Sequence, residues 1–317
     1  MKLIVTIPAY NEEESIKDVI HSIPKQMQGI DRVEILVIDD GSTDNTKVSA
    51  HESGADHVIS NKVNRGLATT FRRGINKALE LGADIIVNTD ADNQYDQTEI
   101  PKLIAPILNG QADIVSGDRQ IEKLDHMPSS KKYGNMLGSW VVRKVSGLPI
   151  KDASSGFRAF SREAALRLSV LSHHTYTHET IIEAQDKKLV FIEVPCTFRA
   201  RVGTSSRLIS GVFGHIKKSG ATIVRTTIRH RPLKTFVYIG GFLLLLGIII
   251  GVRFIYFYMT GNSSGHIQSL IFVAILIMLG FQIVVLGLLA DNINANRRIN
   301  EEILYRLKKE QIKKQLN

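Results

Sequence analysis

Four short polar clusters hold most of the side chains that could do chemistry: Pro8-Ala-Tyr-Asn-Glu12, Asp39-Asp40-Gly-Ser-Thr-Asp44, Thr89-Asp-Ala-Asp-Asn-Gln94 and Gly117-Asp-Arg119. In the third, Asp90 follows an apolar run, Asp92 stands two residues on, and the Gln94 amide two further. Carboxylates that converge where a buried strand ends are costly, and a hard divalent cation completed by water and phosphate oxygens offsets that cost. Asp90, Asp92 and Gln94 therefore read as ligands for Mg²⁺ or Mn²⁺. Taken singly, each cluster also has a structural reading. Asp40-Gly-Ser-Thr-Asp44 is good turn and N-cap chemistry, and Asp90-Ala-Asp92 could cap a helix.

What decides between these readings is the set of elements that must position the clusters. Residues 1–198 alternate short β-branched runs with helical patterns, and the runs are LIVTI (3–7), EILVID (34–39), HVIS (57–60), DIIVNT (84–89), DIVSG (113–117) and LVFIEV (189–194). Strands alternating with helices predict an α/β fold, a mainly parallel sheet sandwiched by helices. In such sheets ligands gather at the carboxyl ends of the strands. The clusters follow the first, second, fourth and fifth runs, so all four fall on one rim. The N-terminus, MKLIVTIPAYNEEE, turns acidic too soon for a secretory signal and reads as the first strand.

Charge and hydropathy divide the chain in the same place. Its 317 residues carry a formal +9, but residues 199–317 hold 17 basic and 4 acidic side chains, a net +13, which leaves −4 for residues 1–198. A slightly acidic body on a basic third argues against a general nucleic-acid coat and for a localised anionic partner, with a lipid bilayer first in line. A single cysteine, Cys196, excludes an internal disulfide framework and a Cys-rich zinc site.

Two 24-residue stretches, 236–259 and 267–290, are dominated by Leu, Ile, Val, Phe and Gly. Each can cross a hydrocarbon core of about 30 Å at about 1.5 Å per residue. Arg253 is the one charge inside, near the far end of the first stretch, where it can snorkel. The connecting 260–266 loop has no Lys or Arg, whereas RHRPLK (229–234) precedes the first stretch and Arg297 and Arg298 follow the second. The positive-inside rule then puts the body and both termini on the cytoplasmic side of a cell membrane. Residues 209–235 place Ile209, Phe213, Ile216, Val224 and Ile228 at helical spacing among basic residues, a pattern suited to the anionic headgroup layer. It also suits an ordinary amphipathic helix on the body. The 291–317 tail is helix-forming and reads as a short coiled coil or a surface helix, and a homo-oligomer stays open.

Together, and in this order, the four clusters with Ser155-Gly-Phe-Arg158 and Arg199-Ala-Arg-Val-Gly-Thr-Ser-Ser-Arg207 resemble the motifs of inverting family-two glycosyltransferases with the GT-A fold. Gln94 and Ser155-Gly156-Phe157 make the chain most similar to the polyprenyl-phosphate, or dolichol-phosphate, hexosyltransferases. The resemblance runs from residue 2 to about 208, with two C-terminal spans also common in that group. It implies a catalytic domain over 1–208, in which Pro8, Tyr10, Glu12 and Asp39 hold base and ribose, with Asp40, Ala91 and Arg119 also on the nucleotide sugar. Asp90, Asp92 and Gln94 would hold the metal on the donor diphosphate. Arg119, Lys131, Asn135 and Ser155 would face the acceptor phosphate, and Arg201 and Arg207 would close over the donor. Many relatives carry Lys where this chain has Arg207, which keeps the charge but changes the fork. Some carry Arg where it has Lys131.

The implied chemistry is attack at the anomeric carbon of a nucleotide-diphospho-sugar, with negative charge building on the leaving diphosphate. A polyprenyl phosphate acceptor, with a second pKa near 6, is already largely a dianion at pH 7 and needs no strong base. A sugar-hydroxyl or glycerolipid acceptor is the rival, and it requires a base, for which Glu179 and Asp152 are the remaining carboxylates; either could equally be structural. A non-catalytic nucleotide-sugar-binding membrane protein is a third reading, which the intact Asp90, Asp92, Gln94 and Arg207 set disfavours.

Overall fold

The computed structural model describes residues 1–125, 127–170, 175–200, 228, 232–260 and 267–316. Arg201, Arg207 and most of the 209–235 stretch lie outside the described residues.

The N-terminal body is built on seven strands: β1 (Lys2–Ala9), β2 (Arg32–Asp39), β3 (His57–Ser60), β4 (Ile85–Asn88), β5 (Ile114–Asp118), β6 (Arg158–Ser161) and β7 (Phe191–Pro195). They lie in the order β3-β2-β1-β4-β6-β5-β7. All neighbouring pairs are parallel except those of β6, which runs antiparallel between β4 and β5. The six predicted runs are six of these strands. The seventh, β6, is hidden in the sequence because its four residues, Arg-Ala-Phe-Ser, are too short and too polar at both ends to show an apolar run.

Both faces of the sheet are covered, which is why β1 and β2 read as near-continuous apolar runs. Side chains alternate along a strand, so Leu3, Val5 and Ile7 join one core with Ile16, Val19 and Ile20 of α1 (Ile16–Ser22) and Ile100, Leu103 and Ile104 of α4 (Ile100–Leu108). Ile4, Leu36, Ile38 and Ile86 point the other way, onto Phe71, Ile75 and Ala78 of α3 (Leu67–Glu80) and Ala164 and Ala165 of α6 (Arg162–Arg167). A third, smaller core joins Val142 of α5 (Ser129–Ser146) to Ile181 and Ile182 of α7 (Thr177–Asp186). The remaining body helix, α2 (Thr46–Glu52), follows β2.

The chain divides into two units, Met1–Val224 with Ile303–Asn317, and Arg225–Glu302. The C-terminal tail thus packs on the N-terminal body. Ile312 is buried in the α3/α6 core, Tyr305 donates its hydroxyl to Glu163 at 2.8 Å and lies under the Arg167 guanidinium, and Lys308 reaches Asn76 at 3.1 Å. A surface helix, rather than a coiled coil, is what these contacts describe. The second unit contains the apolar helix Pro232–Met259 and the apolar part of a 50-residue helix, Ile267–Leu316. Both are long and apolar enough to cross a bilayer. They meet at small residues: a Cβ at Gly240 would stand 2.7 Å from the Gly280 carbonyl oxygen, and one at Gly280 would stand 2.8 Å from Leu244.

Candidate active site

The ends of β1, β2 and β4 form the rim on which the site stands. After β1 the chain turns through Asn11, whose φ of +54° lies in the left-handed region that Asn tolerates. There the Asn11 side chain accepts the Thr43 N–H at 2.8 Å and its own N–H donates to Ser42 Oγ at 2.9 Å. Glu12 N–H donates to Thr46 Oγ1 at 2.8 Å. The first two polar clusters are thereby locked to each other, one across the other's turn.

Asp40 has a different task. Its carboxylate accepts the Asn61 amide at 2.7 Å and the backbone N–H groups of Arg65 at 2.9 Å and Gly66 at 2.8 Å. Both oxygens are engaged in holding the β3–α3 loop, and Gly66, at φ +86°, supplies the left-handed turn from which α3 starts. Asp39 accepts the Ser42 N–H at 3.0 Å. The turn chemistry read from Asp40-Gly-Ser-Thr-Asp44 is therefore present, in the Asp39 contact and in the Thr46 N–H donated to Asp44 at 3.0 Å, but the helix cap is not: α2 starts at Asn45 without a side-chain cap.

A cavity of about 320 Å³ opens there, lined by Pro8, Ala9, Tyr10, Glu12, Asp40, Asn64, Gly66, Leu67, Thr70, Asp90, Ala91 and Asp92. Seven residues singled out in the sequence thus share one cavity. Asn64, Gly66, Leu67 and Thr70 also line it, and Asn64-Arg65-Gly66 directly before a helix is the sequence signal for them, a backbone turn presented to a ligand.

Asp90 sits on a clamped loop. Gly156 lies so close that a Cβ there would stand 2.9 Å from both Asp90 carboxylate oxygens and 3.1 Å from the Tyr176 hydroxyl. The Asn88 amide donates to the Gly156 carbonyl at 3.0 Å and to Tyr176 Oη at 2.8 Å, while the Gly156 N–H donates to Tyr95 Oη at 3.0 Å. Burial, then the Asp90 charge, raises the Tyr176 phenol well above its usual range, so it stays protonated. Arg158, fully buried, ties this loop to α7 by donating to the carbonyls of Ser155 at 2.9 Å, Ala153 at 3.1 Å and Thr177 at 2.7 Å. The glycine and arginine of Ser155-Gly-Phe-Arg158 are thus explained by what they touch.

Of the four carboxylates that line the cavity, Glu12, Asp40, Asp90 and Asp92, the Asp90 and Asp92 pair at the end of β4 suits a hard divalent cation. Among the described residues no cluster of three or more His, Cys, Asp or Glu could hold an ion alone. Two carboxylates with water and diphosphate oxygens are the donor set that Mg²⁺ favours, so the residues fit. Asn93, at φ +57°, bends the chain after Asp92, and the Gln94 N–H donates to Asp92 Oδ1 at 3.2 Å. The Gln94 side chain donates to the Arg199 carbonyl at 3.1 Å, and Arg199 N–H returns to the Gln94 carbonyl at 2.7 Å. Gln94 is thus linked to the segment that leads into Arg201.

A second cluster centres on Arg119. Its Nε and Nη2 donate to the two Asp152 oxygens at 2.6 and 2.9 Å, and Nη2 also reaches Ser154 Oγ at 2.6 Å. Ser154 Oγ in turn donates to Asn135 Oδ1 at 3.0 Å. The serine of this cluster is Ser154 rather than Ser155. Ser155 is fully buried, with its hydroxyl 3.4 Å from Tyr95 Oη. Lys131 lies exposed on the first turn of α5. Burial alone would raise the Asp152 carboxyl, but the Arg119 guanidinium and the N–H groups of Ser154 and Arg119 hold it below the usual range. A carboxylate so paired is a poor base. Glu179 is fully buried on the first turn of α7 and does not line the cavity.

Comparison with known proteins agrees with this geometry. Residues 4–168 match the model described as Glycosyl transferase family 2. A UDP-N-acetylglucosamine–dolichyl-phosphate N-acetylglucosaminyltransferase of Methanococcus voltae is 36% identical over 219 residues, covering 61% of this chain and 84% of that one. An undecaprenyl-phosphate mannosyltransferase of Micrococcus luteus is 28% identical over 224 residues, covering 68% and 90%. In fold, the chain is like glucosyl-3-phosphoglycerate synthase from Mycobacterium tuberculosis, solved with Mn²⁺, UDP-glucose and phosphoglyceric acid, at a TM-score of 0.54 and 23% identity over 72% of this chain and 78% of that one. With the family model matched over half its length and a GT-A sheet beneath the matched motifs, this chain belongs to glycosyl transferase family 2 and is a glycosyltransferase.

Proposed function

We propose that the enzyme moves a hexose from a nucleotide-diphospho-sugar to a polyprenyl phosphate at the cytoplasmic face of a membrane, with inversion. The observation that carries the reading is the division of labour between two clusters. Asp90 and Asp92 face a cavity with Pro8, Tyr10 and Glu12, while Arg119, Asn135 and Ser154 form a separate hydrogen-bonded cluster. Donor recognition is assigned to the cavity, with the base and ribose at Pro8, Tyr10, Glu12 and the neighbouring Asp39. The acceptor phosphate is assigned to the Arg119 cluster, with Lys131 beside it. The relatives named for dolichyl- and undecaprenyl-phosphate transfer support that acceptor class. They differ in sugar.

Asp90, Asp92 and Gln94 would hold Mg²⁺ or Mn²⁺, which when bound would neutralise charge on the departing diphosphate. Arg201 and Arg207 add cations to the same group. The acceptor phosphate oxygen forms the new bond to the anomeric carbon from the face opposite the diphosphate, and the old carbon–oxygen bond breaks with its electron pair on the diphosphate. No proton has to move, because the nucleophile is already an anion. That suits a structure in which Asp152 is ion-paired and Glu179 lies away from the cavity. Leaving-group stabilisation is the main catalytic contribution.

The test is to incubate membranes containing the protein with polyprenyl phosphate and labelled UDP-glucose, UDP-N-acetylglucosamine or GDP-mannose in turn. Label from one donor should pass into the organic phase. Failure with all three would overturn the reading.

A further inference from the structure

Helix α5 turns one face inward and another to solvent. Its inner face buries Ser139, Val142 and Ser146. On the outer face Tyr133 is 72% exposed, Met136 40%, Leu137 58% and Trp140 52%. Spaced i, i+3, i+4 and i+7, these four side chains fall within about 100° of helical arc, a continuous apolar stripe. Scattered exposed apolar residues are ordinary, but an aligned stripe containing both a Tyr and a Trp marks a contact surface. Its charges all have one sign: Lys131, Lys132, Arg143 and Lys144, with no acidic residue between Ser129 and Ser146.

We infer that α5 is a membrane-contacting helix of the catalytic body, lying in the headgroup layer of an anionic bilayer. Tyr and Trp favour that layer because one end of each is apolar and the other polar. Lys144, exposed, lays its stem along the stripe and puts its ammonium group beside lipid phosphates, while Lys132, whose ammonium donates to the Glu122 carbonyl at 3.4 Å, adds its charge at the edge. A second copy of the chain is a poorer occupant, since a twofold contact through this face sets Lys132 and Lys144 of one helix against those of the other. The assignment rests on reading the two apolar helices as membrane spans, which would keep the body beside a bilayer, and not on the identity of the sugar or acceptor.

The inner face of α5 gives this contact a consequence for the site. Asn135 accepts from Ser154 Oγ at 3.0 Å, and Ser139 Oγ accepts the Ala153 N–H at 3.0 Å. The helix that meets the headgroups therefore also holds the loop that carries Asp152 and Ser154 around Arg119. A lipid-borne phosphate would meet that cluster without leaving the interface.

Trp140 is the only tryptophan of the chain, so the emission of the full-length protein reports on α5 alone. The protein is reconstituted in vesicles of phosphatidylcholine and phosphatidylglycerol, with part of the phosphatidylcholine brominated on its acyl chains. Brominated lipid should remove roughly half or more of the emission while iodide in the water quenches little, as for an indole at the headgroup boundary. K132E/K144E should weaken bromolipid quenching and restore iodide access, with the far-UV circular dichroism unchanged. Quenching by iodide but not by bromolipid in the wild type would overturn the inference. So would shielding from both, which would mean that protein covers the stripe, and so would bromolipid quenching indifferent to K132E/K144E. None of these readouts uses a sugar donor, so failure of the transfer reaction would leave them intact.

Discussion

Replacing Asp152 by Asn tests the assignment of the Arg119 cluster. In the wild type the two side chains are 10% and 1% exposed, and the carboxylate accepts two guanidinium hydrogen bonds at 2.6 and 2.9 Å. An asparagine keeps the volume but removes the charge and turns an N–H₂ toward one guanidinium N–H. Removing one partner of a buried pair in this way costs about 3–5 kcal/mol, because the other charge stays buried without compensation. At about 2–4 °C per kcal/mol for a unit of this size, the melting temperature of the solubilised protein should fall by roughly 6–20 °C. Replacing both partners together, as R119M/D152L, should recover much of that loss. Proton linkage gives an independent check. Asp152 is held below its unfolded value of about 3.9, so the pair's stabilisation is present above that pH and is lost as pH falls through the lowered folded value. In D152N this acid-side loss should shrink. A variant within about 1 kcal/mol of wild type would refute the buried-pair argument. A variant of wild-type stability with no transfer activity would instead identify Asp152 as a base and favour a hydroxyl acceptor.

Three further outcomes are expected. Asp92→Asn should eliminate transfer at any Mg²⁺ or Mn²⁺ concentration while melting and membrane insertion stay at wild-type values; unaltered turnover would sink the metal assignment. Gly156→Ala would place a Cβ 2.9 Å from both Asp90 oxygens, so transfer should drop by about tenfold or more and a higher concentration of divalent ion should be needed for half-maximal rate, read from metal titrations of initial rate. Burial pushes the Cys196 thiol up to about 12, so the folded protein should resist iodoacetamide near pH 8 and react promptly once unfolded, as followed by mass spectrometry.

The parts of this molecule that were legible in the sequence are those set by a local pattern. Short, near-continuous β-branched runs mark six strands, and polar clusters directly after four of them mark the rim. The parts that were not legible depend on contacts between distant segments. Arg158 looks like an ordinary motif arginine, and only the fold shows it joining the carbonyls of Ser155 and Thr177. Asp152 reads from the sequence as a base or a structural carboxylate, and only the fold shows its pairing with Arg119, 33 residues away. Asp40 reads as local turn chemistry, but the loop that it holds begins 21 residues later at Asn61, and Asp39 accepts the local Ser42 N–H instead. The α5 stripe is not legible in the sequence because Gly134, Asn135, Gly138 and Ser139 interrupt it, and because exposure cannot be read from spacing alone. The tail helix reads from the sequence as a coiled coil or a surface helix, and Tyr305, Lys308 and Ile312 settle it by their partners on α3 and α6.

The central claim is that the acceptor is a phosphate, already ionised, so that no protein base is required. Its most direct test offers the purified enzyme its working donor with either a polyprenyl phosphate or the corresponding polyprenol, identical but for the phosphate. Transfer to the polyprenyl phosphate alone, with a product that mild acid cleaves back to sugar, is the predicted result. Equal transfer to the polyprenol would contradict it.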